Sequence, residues 1–120
     1  MASLILVRGL PGSGKSTFAK KLSGFIHVEA DMYFVNENGE YMFNMDDRPK
    51  AHAWCQSMAR TLLREGHNVV VSNTFSRKWE MEPYFEMCSD VSVVMMTTQF
   101  QNVHDVPQDV VDAMRDRWEF

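Results

Sequence analysis

The amino-acid sequence predicts an α/β fold of three layers, in which a small parallel sheet of about four strands lies between helices on both faces. Three observations predict it. Four apolar, strand-like runs alternate with four helical patterns, a glycine-rich turn joins the first strand to the first helix, and polar residues follow the strands. The 120 residues contain no repeat, linker or low-complexity segment, so we expect a single domain over residues 1–120.

Each strand is predicted from a short apolar run, and each helix from apolar residues spaced three or four positions apart. The predicted strands cover residues 3–7, 26–30, 68–72 and 91–96. The first and third predicted helices cover residues 15–23 and 79–87. The second is capped by Asp46 or Asp47 and ended by Gly66. The last begins at Pro107 and includes Trp118.

Residues 9–17 carry the most specific signal, because they match the phosphate-binding pattern G-x-x-x-x-G-K-[ST] between a predicted strand and a predicted helix. Backbone N–H groups of the turn and the positive end of the helix would bind a polyphosphate. We predict that Lys15 reaches the β- and γ-phosphates of ATP and that the Ser16 hydroxyl joins the shell of Mg²⁺. The predicted nucleotide contacts are Gly12, Ser13, Gly14, Lys15, Ser16 and Thr17.

Asp31 is the candidate catalytic carboxylate, because it follows the second strand at the edge of the sheet that carries the phosphate loop. A kinase needs a carboxylate there to accept the proton of the attacking hydroxyl or to hold the metal. The alternative is a carboxylate that caps a turn or a short helix after the strand. Tyr33, which lies nearby, either contacts the substrate or packs onto the core.

Polar residues after the third strand provide further candidate substrate contacts. Asn73 and Thr74 bind the acceptor, orient Asp31 or form an ordinary turn. Arg77 stands at the start of a predicted helix, where a cation is electrostatically unfavourable, so it either binds an anion or is a solvated charge. Residues 97–106 occupy the position of a lid and contain no arginine, which leaves open the source of a cation for the transferring phosphate.

Composition limits the classes of partner and location. The net charge of -4 is unfavourable for binding nucleic acid through nonspecific phosphate contacts. No apolar run is long enough to cross a membrane, so we expect no membrane partner. Cys55 and Cys88 lack a metal-type spacing and are predicted to be buried thiols in a reducing compartment, which indicates a cytoplasmic protein. The oligomeric state is not predicted.

Taken together, these motifs resemble the 5′-kinase domain of phage-type polynucleotide kinase and the small AAA-type ATP-binding proteins related to it. The resemblance implies a P-loop kinase-like fold, ATP and Mg²⁺ bound through Lys15 and Ser16, and Asp31 as the general base for a polynucleotide 5′-hydroxyl. The sequence has Phe34 and Gln101 near positions where these kinases often carry an arginine. The matching segments cover nearly the whole chain and are residues 8–17, 30–33, 51–54, 72–74, 79–81 and 102–107.

Three functions remain open at the level of the sequence. The leading interpretation is an ATP-dependent kinase that acts on a hydroxyl such as a polynucleotide 5′-end. The acidic net charge favours a small-molecule kinase for a nucleoside or another metabolite. The absence of arginine from residues 97–106 favours a slow ATP-binding or ATPase module that acts through a partner.

Overall fold

The computed structural model describes residues 2–10, 13–96 and 116–119. Within these ranges, four strands form one sheet in the order β2-β3-β1-β4, and each neighbouring pair is parallel. The predicted parallel sheet of four strands is therefore confirmed. The strands are β1 (Leu4–Gly9), β2 (Phe25–Val28), β3 (Asn68–Asn73) and β4 (Val91–Met96).

Helices of two kinds connect these strands in the described part of the chain. The α-helices are α1 (Lys15–Lys20), α2 (Arg48–Arg64) and α3 (Glu82–Met87), and short 3₁₀ helices occupy Ala30–Phe34, Met45–Asp47 and Lys78–Met81. Pro49 lies in the first turn of α2, and Gly66, with φ of +92°, follows its end as predicted. No helix in the described ranges is long and apolar enough to cross a membrane.

One predicted helix needs correction, and most of another lies outside the described residues. The helix predicted over residues 79–87 is divided into a 3₁₀ helix and α3, because Pro83 lacks an N–H group and is suited to the first turn of a new helix. The predicted lid over residues 97–106 and most of the last predicted helix lie outside the described residues. Trp118, predicted within that helix, follows its helical end instead.

Side chains on the two faces of the sheet form separate cores, because successive residues of a strand point in opposite directions. On one face, Leu4, Leu6 and Val71 pack with the α2 residues Ala51 and Cys55. On the other face, Val7 and Val70 pack with Ala19 of α1. The three-layer arrangement is therefore as predicted. Cys55 is a buried free thiol as expected, whereas the free thiol of Cys88 is only half-buried.

The direction of the connections locates the cleft. The chain crosses from β1 through α1 to β2, and then returns through α2 to β3 in the opposite direction across the sheet. Right-handed crossovers that run in opposite directions lie on opposite faces, which accounts for the positions of α1 and α2. β1 and β3 are neighbours, and the connections that leave their carboxyl ends run in opposite directions across the sheet, to β2 and to β4. Ligands of open α/β sheets bind between two such strand ends.

Candidate active site

The phosphate loop begins at the carboxyl end of β1 and depends on two glycines. A Cβ atom on Gly9 would lie 2.4 Å from Ser13 Oγ and 3.2 Å from the Met96 carbonyl oxygen, so a side chain there would displace the Ser13 hydroxyl and press on β4. Gly14, immediately before α1, has φ of +87°, a left-handed conformation that glycine adopts without steric cost. Among the described residues no side chain caps α1, so its first N–H groups are available to an anion.

Ser13 provides an independent test of whether the loop fits a phosphate. This residue is 2% exposed, yet its hydroxyl has no hydrogen-bond partner in the part of the chain that the structure describes. A buried hydroxyl without a partner is costly, and a phosphate oxygen would satisfy it. Among the predicted nucleotide contacts, Ser13 to Thr17 span the turn and the first residues of α1, whereas Gly12 lies outside the described residues.

Lys15 is half-buried at the start of α1 and is positioned to bind phosphate as a cation. Burial lowers the pKa of Lys15, and the nearby carboxylates of Glu29 and Asp31 partly counteract this effect. Within residues 2–10, 13–96 and 116–119, the Lys15 ammonium group makes no ion pair. Both carboxylates therefore stabilise its charge without binding it directly, and the ammonium group can donate to a phosphate.

Glu29 lies at the centre of a hydrogen-bonded cluster that the sequence analysis did not select. Ser16 Oγ donates to Glu29 Oε2 at 2.7 Å, and Ser72 Oγ donates to the same oxygen at 2.9 Å. His27 Nε2 lies 2.6 Å from Ser72 Oγ and 3.5 Å from Glu29 Oε2. Because the single Ser72 hydroxyl proton goes to Glu29, the Nε2–H group of His27 is shared between the Ser72 and Glu29 oxygens.

These contacts keep Glu29 ionised. Burial alone would raise the pKa of Glu29, but hydrogen bonds from His27, Ser16 and Ser72 outweigh burial and lower the pKa to about 2. A carboxylate and two hydroxyl oxygens are hard donors of the kind that Mg²⁺ prefers, and Mg²⁺ bound with a nucleotide usually takes few protein ligands. The residues present therefore fit Mg²⁺ beside Ser16. The described residues contain no group of three or more His, Cys, Asp or Glu that could hold a metal.

Asp31 lies in the 3₁₀ helix that follows β2. Its side chain is exposed, and Tyr41 Oη donates to Asp31 Oδ1 at 3.3 Å. Tyr41 reaches this position because Val35 and Tyr41 form an antiparallel bridge, which turns the loop back over the 3₁₀ helix. Burial, and then the Asp31 charge, raise the pKa of Tyr41 to about 12. The sequence analysis did not select Tyr41.

Asn73 connects the end of β3 to the segment that carries Asp31. Asn73 Oδ1 accepts a hydrogen bond from the Ala30 N–H group at 2.9 Å, and Asn73 Nδ2 donates to Cys55 Sγ at 3.7 Å. This contact is the one expected if Asn73 orients Asp31, which was one of the alternatives that the sequence left open. The Thr74 carbonyl accepts from the Gly9 N–H group at 3.3 Å and so joins β3 to the phosphate loop.

The remaining predicted substrate residues are in contact with the protein itself. The Tyr33 ring packs edge-on against Phe34, with centroids 5.5 Å apart, and lies 6.3 Å from the Trp54 ring. Arg77 Nη1 lies 3.7 Å from Glu119 Oε2, which accounts for this cation at the start of a helix. A substrate role for Tyr33, Thr74 or Arg77 stays a prediction, as does metal binding by Asp31, whose carboxylate is not the one bound to Ser16.

Arg8 holds the end of β1 against the last described segment. It is 3% exposed, donates to the carbonyl oxygens of Phe75 and Glu119, and stacks on Trp118 at 4.4 Å. Phe75 adopts a left-handed φ of +49°, unusual for a residue other than glycine. Arg117 Nε donates to Ser76 Oγ at 3.0 Å. Arg77 and Arg117 are thus engaged with Glu119 and Ser76.

Sequence comparison identifies relatives of this chain. A family model described as an AAA domain matches residues 4–101. NEDD4-binding protein 2 of Homo sapiens is 38% identical over 87 residues, which cover 68% of this chain and only 5% of that protein. The uncharacterized protein PM0531 of Pasteurella multocida is 31% identical over an alignment that covers 95% of this chain and 75% of that protein.

Structural comparison identifies the same fold in several kinases. A gluconokinase from Sinorhizobium meliloti aligns with a TM-score of 0.71 at 20% identity, over 98% of this chain and 75% of that chain. A chain of the Pnkp1/Rnl/Hen1 RNA repair complex aligns with a TM-score of 0.63 at 20% identity, over 97% of this chain but 37% of that chain. The APS kinase CysC of Mycobacterium tuberculosis aligns with a TM-score of 0.59 at 19% identity, over 97% of this chain and 96% of that chain. These likenesses show a P-loop kinase-like fold.

Proposed function

This chain belongs to the AAA domain family, and from that premise we propose that it transfers the γ-phosphate of ATP to a hydroxyl group. One observation carries the proposal: the phosphate-loop cation Lys15 and the exposed carboxylate of Asp31 follow two parallel strands at the same edge of the sheet, where the Asp31 charge raises the pKa of Lys15 against the larger effect of burial. A cation for the phosphates and a base for the acceptor are what phosphoryl transfer requires of the protein, since the rest is positioning and charge neutralisation.

The nucleotide side of the cleft would hold ATP through Lys15, the Ser13 hydroxyl and the N–H groups at the start of α1. Mg²⁺ beside Ser16 would neutralise charge on the β- and γ-phosphates. Glu29 fixes the direction of the Ser16 hydroxyl through their 2.7 Å hydrogen bond. This part of the proposal rests on the Ser13 hydroxyl without a partner and on the convergent oxygen donors around Glu29.

On the acceptor side, Asp31 would accept the proton of the attacking hydroxyl while that oxygen bonds to the γ-phosphorus and the bond to ADP breaks. Tyr41 occupies Asp31 Oδ1, which leaves Oδ2 for the acceptor. We propose a polynucleotide 5′-hydroxyl as the acceptor. The resemblance of the motifs to polynucleotide kinase supports it, as do the aromatic side chains around Asp31, because aromatic rings bind bases by stacking.

A small-molecule kinase is the second candidate. The net charge of -4 and the acidic residues of the loop that carries Tyr41 favour a small acceptor over a long polyanion. The slow ATPase module is the third candidate. Arg77 contacts Glu119 and Arg117 contacts Ser76, so neither arginine is assigned to the transferring phosphate. A cytoplasmic location remains a prediction.

Phosphate transfer from γ-labelled ATP with Mg²⁺ tests the proposal directly. Separate reactions would offer a 5′-hydroxyl oligonucleotide, the same oligonucleotide with a 5′-phosphate, free nucleosides, sugars, and water alone. We expect label on the 5′-hydroxyl oligonucleotide, none on its 5′-phosphorylated form, and none with Lys15→Ala. Label on a nucleoside or sugar alone would establish the second candidate, and release of phosphate to water alone would establish the third.

A further inference from the structure

An exposed pair of aromatic rings stands beside the candidate general base. Tyr41 and Phe43 are 52% and 50% exposed, and their rings are parallel to within 8° with centroids 6.2 Å apart. Both rest on the buried ring of Phe34, at 6.2 Å and 5.0 Å between centroids. The buried ring therefore fixes the exposed rings in place, and the Tyr41 hydroxyl joins the pair to Asp31 at 3.3 Å.

Arg48, at the start of α2, follows Phe43 of the ring pair by five residues in the chain. Within the part of the chain that the structure describes, Lys50 pairs with Asp47 at 3.6 Å and Arg77 pairs with Glu119, whereas Arg48 makes no ion pair. Arg48 is half-buried at the first residue of α2. It stands one turn from His52; burial lowers the pKa of His52, the charges of Glu80 and Asp31 raise it, and the charge of Arg48 lowers it.

The surrounding charge limits how much polyanion this surface can bind. The loop that carries the ring pair also carries Glu37, Glu40, Asp46 and Asp47, and Asp47 already neutralises Lys50. A track of several phosphates would therefore meet more repulsion than attraction. One phosphate near Arg48 would not, because a single half-buried guanidinium matches a single phosphate in charge and in hydrogen-bonding groups.

We infer that Tyr41, Phe43 and Arg48 form a subsite for one terminal nucleotide of a single-stranded nucleic acid, with the base against the rings and one phosphate on Arg48. This inference rests on the proposed transfer to a polynucleotide 5′-hydroxyl and specifies how that acceptor is held. Recognition comes from stacking and one charge contact, so affinity depends weakly on the length of the strand and on salt.

Equilibrium binding of single-stranded 5′-hydroxyl oligonucleotides, labelled at the 3′-end and followed by fluorescence anisotropy, tests the subsite without any transfer. One phosphate contact predicts a slope of about -0.7 for log affinity against log salt, whereas a track of four contacts predicts about -2.8. We expect a trinucleotide and a decanucleotide to bind within a few-fold of each other. A slope steeper than about -2, or affinity that rises steadily with length, would overturn the inference.

Substitutions separate the two parts of the subsite. Phe43→Leu removes a ring but keeps an apolar side chain, and we expect binding to weaken about 5- to 100-fold. Arg48→Gln should flatten the salt slope to nearly zero, and Arg48→Lys should restore it. Phe85→Leu, at an exposed ring on α3, is the matched control and should leave binding unchanged. Thermal unfolding of each variant shows whether it is folded.

The outcomes distinguish this inference from the proposed function. Oligonucleotide binding with the expected slope and variant pattern, but without phosphate transfer, would leave the subsite in place and refute the kinase. Transfer to an oligonucleotide with the same KM in Phe43→Leu, Arg48→Gln and the parent would overturn the subsite and leave the kinase. Self-association that Phe43→Leu abolishes, seen by sedimentation, would also overturn it, because the ring pair would then bind a second copy of the chain.

Discussion

The nucleotide side and the acceptor side of this site are built in different ways. On the nucleotide side, Ser72 of β3 is buried, Ser16 of α1 and Glu29 after β2 are half-buried, and both serines donate hydrogen bonds to Glu29. On the acceptor side, Asp31 and Tyr41 are exposed and share a single hydrogen bond. Interlocked buried polar groups are costly to disturb, whereas an exposed group can change with little effect on folding. Changes to Ser16, Glu29 or Ser72 should therefore alter stability together with function, and changes on the acceptor side should alter function alone.

Asp31→Asn should give the largest loss of turnover, with little change in the free energy of unfolding. Removal of a general base typically lowers the rate about 10²- to 10⁴-fold, and the exposed Asp31 contributes little to packing. Turnover on the acceptor found in the transfer screen, ATP affinity by calorimetry and urea unfolding would be measured together. Asp46→Asn, an exposed carboxylate in the following 3₁₀ helix, is the control. Parental turnover in Asp31→Asn would make Asp31 structural.

Glu29→Gln tests whether the ionised Glu29 on the nucleotide side contributes to the stability of the fold. The pKa of Glu29 is about 2 in the folded protein and 4.5 ordinarily, so its ionised form stabilises the fold above about pH 4.5. That contribution, on the order of 3 kcal/mol, is lost as the pH falls from about 5 towards 2. Urea unfolding in EDTA between pH 7 and pH 3 should therefore show a steeper loss for the parent than for Glu29→Gln. Parallel curves would mean that Glu29 is not held as an ion.

Lys15→Ala should weaken ATP binding about 10- to 150-fold, since a charge-assisted hydrogen bond contributes roughly 1.5–3 kcal/mol. The fold should remain, because Lys15 makes no ion pair with the described residues. Calorimetry with ATP and Mg²⁺ measures the affinity, and Lys20→Ala, an exposed lysine on the same helix, is the control. Equal affinity for Lys15→Ala and the parent would place the triphosphate elsewhere.

Asn73→Ala lies between the two sides and should combine both effects on a smaller scale. It leaves the Ala30 N–H group without its partner, at a cost of about 1–3 kcal/mol, and it frees the 3₁₀ helix that carries Asp31. Asn68→Ala, at the opposite end of β3, removes an equivalent bond to the Ser3 N–H group. Both variants should lose stability, but only Asn73→Ala should lower kcat while ATP affinity stays unchanged. Equal kcat in the two variants would make Asn73 a structural residue only.

The phosphate loop and the sheet could be predicted because their signals are local. Residues 9–17 contain the whole pattern, and the apolar runs that form β3 and β4 match the observed strands to within one residue. The division of residues 78–87 was missed, although Pro83 offered a local signal, because the apolar spacing continues across it.

The polar cluster could not be predicted because its contacts join distant parts of the chain. The predicted second strand ran to Ala30, which placed Glu29 inside a strand, whereas β2 ends at Val28 and Glu29 faces Ser16 and Ser72. A polar residue next to a strand end was the available signal. Tyr41 returns to Asp31 only through the bridge to Val35, which no local pattern indicates.

The contact between Arg8 and the Glu119 carbonyl has a consequence for the timing of folding on the ribosome. The two residues are separated by 111 positions, and synthesis at roughly 5–20 residues per second delays their meeting by roughly 6–22 s. During that interval β1, the inner strand from which the phosphate loop begins, lacks one acceptor for its buried arginine. The start of the phosphate loop is therefore synthesised many seconds before Arg8 can form its contact with Glu119.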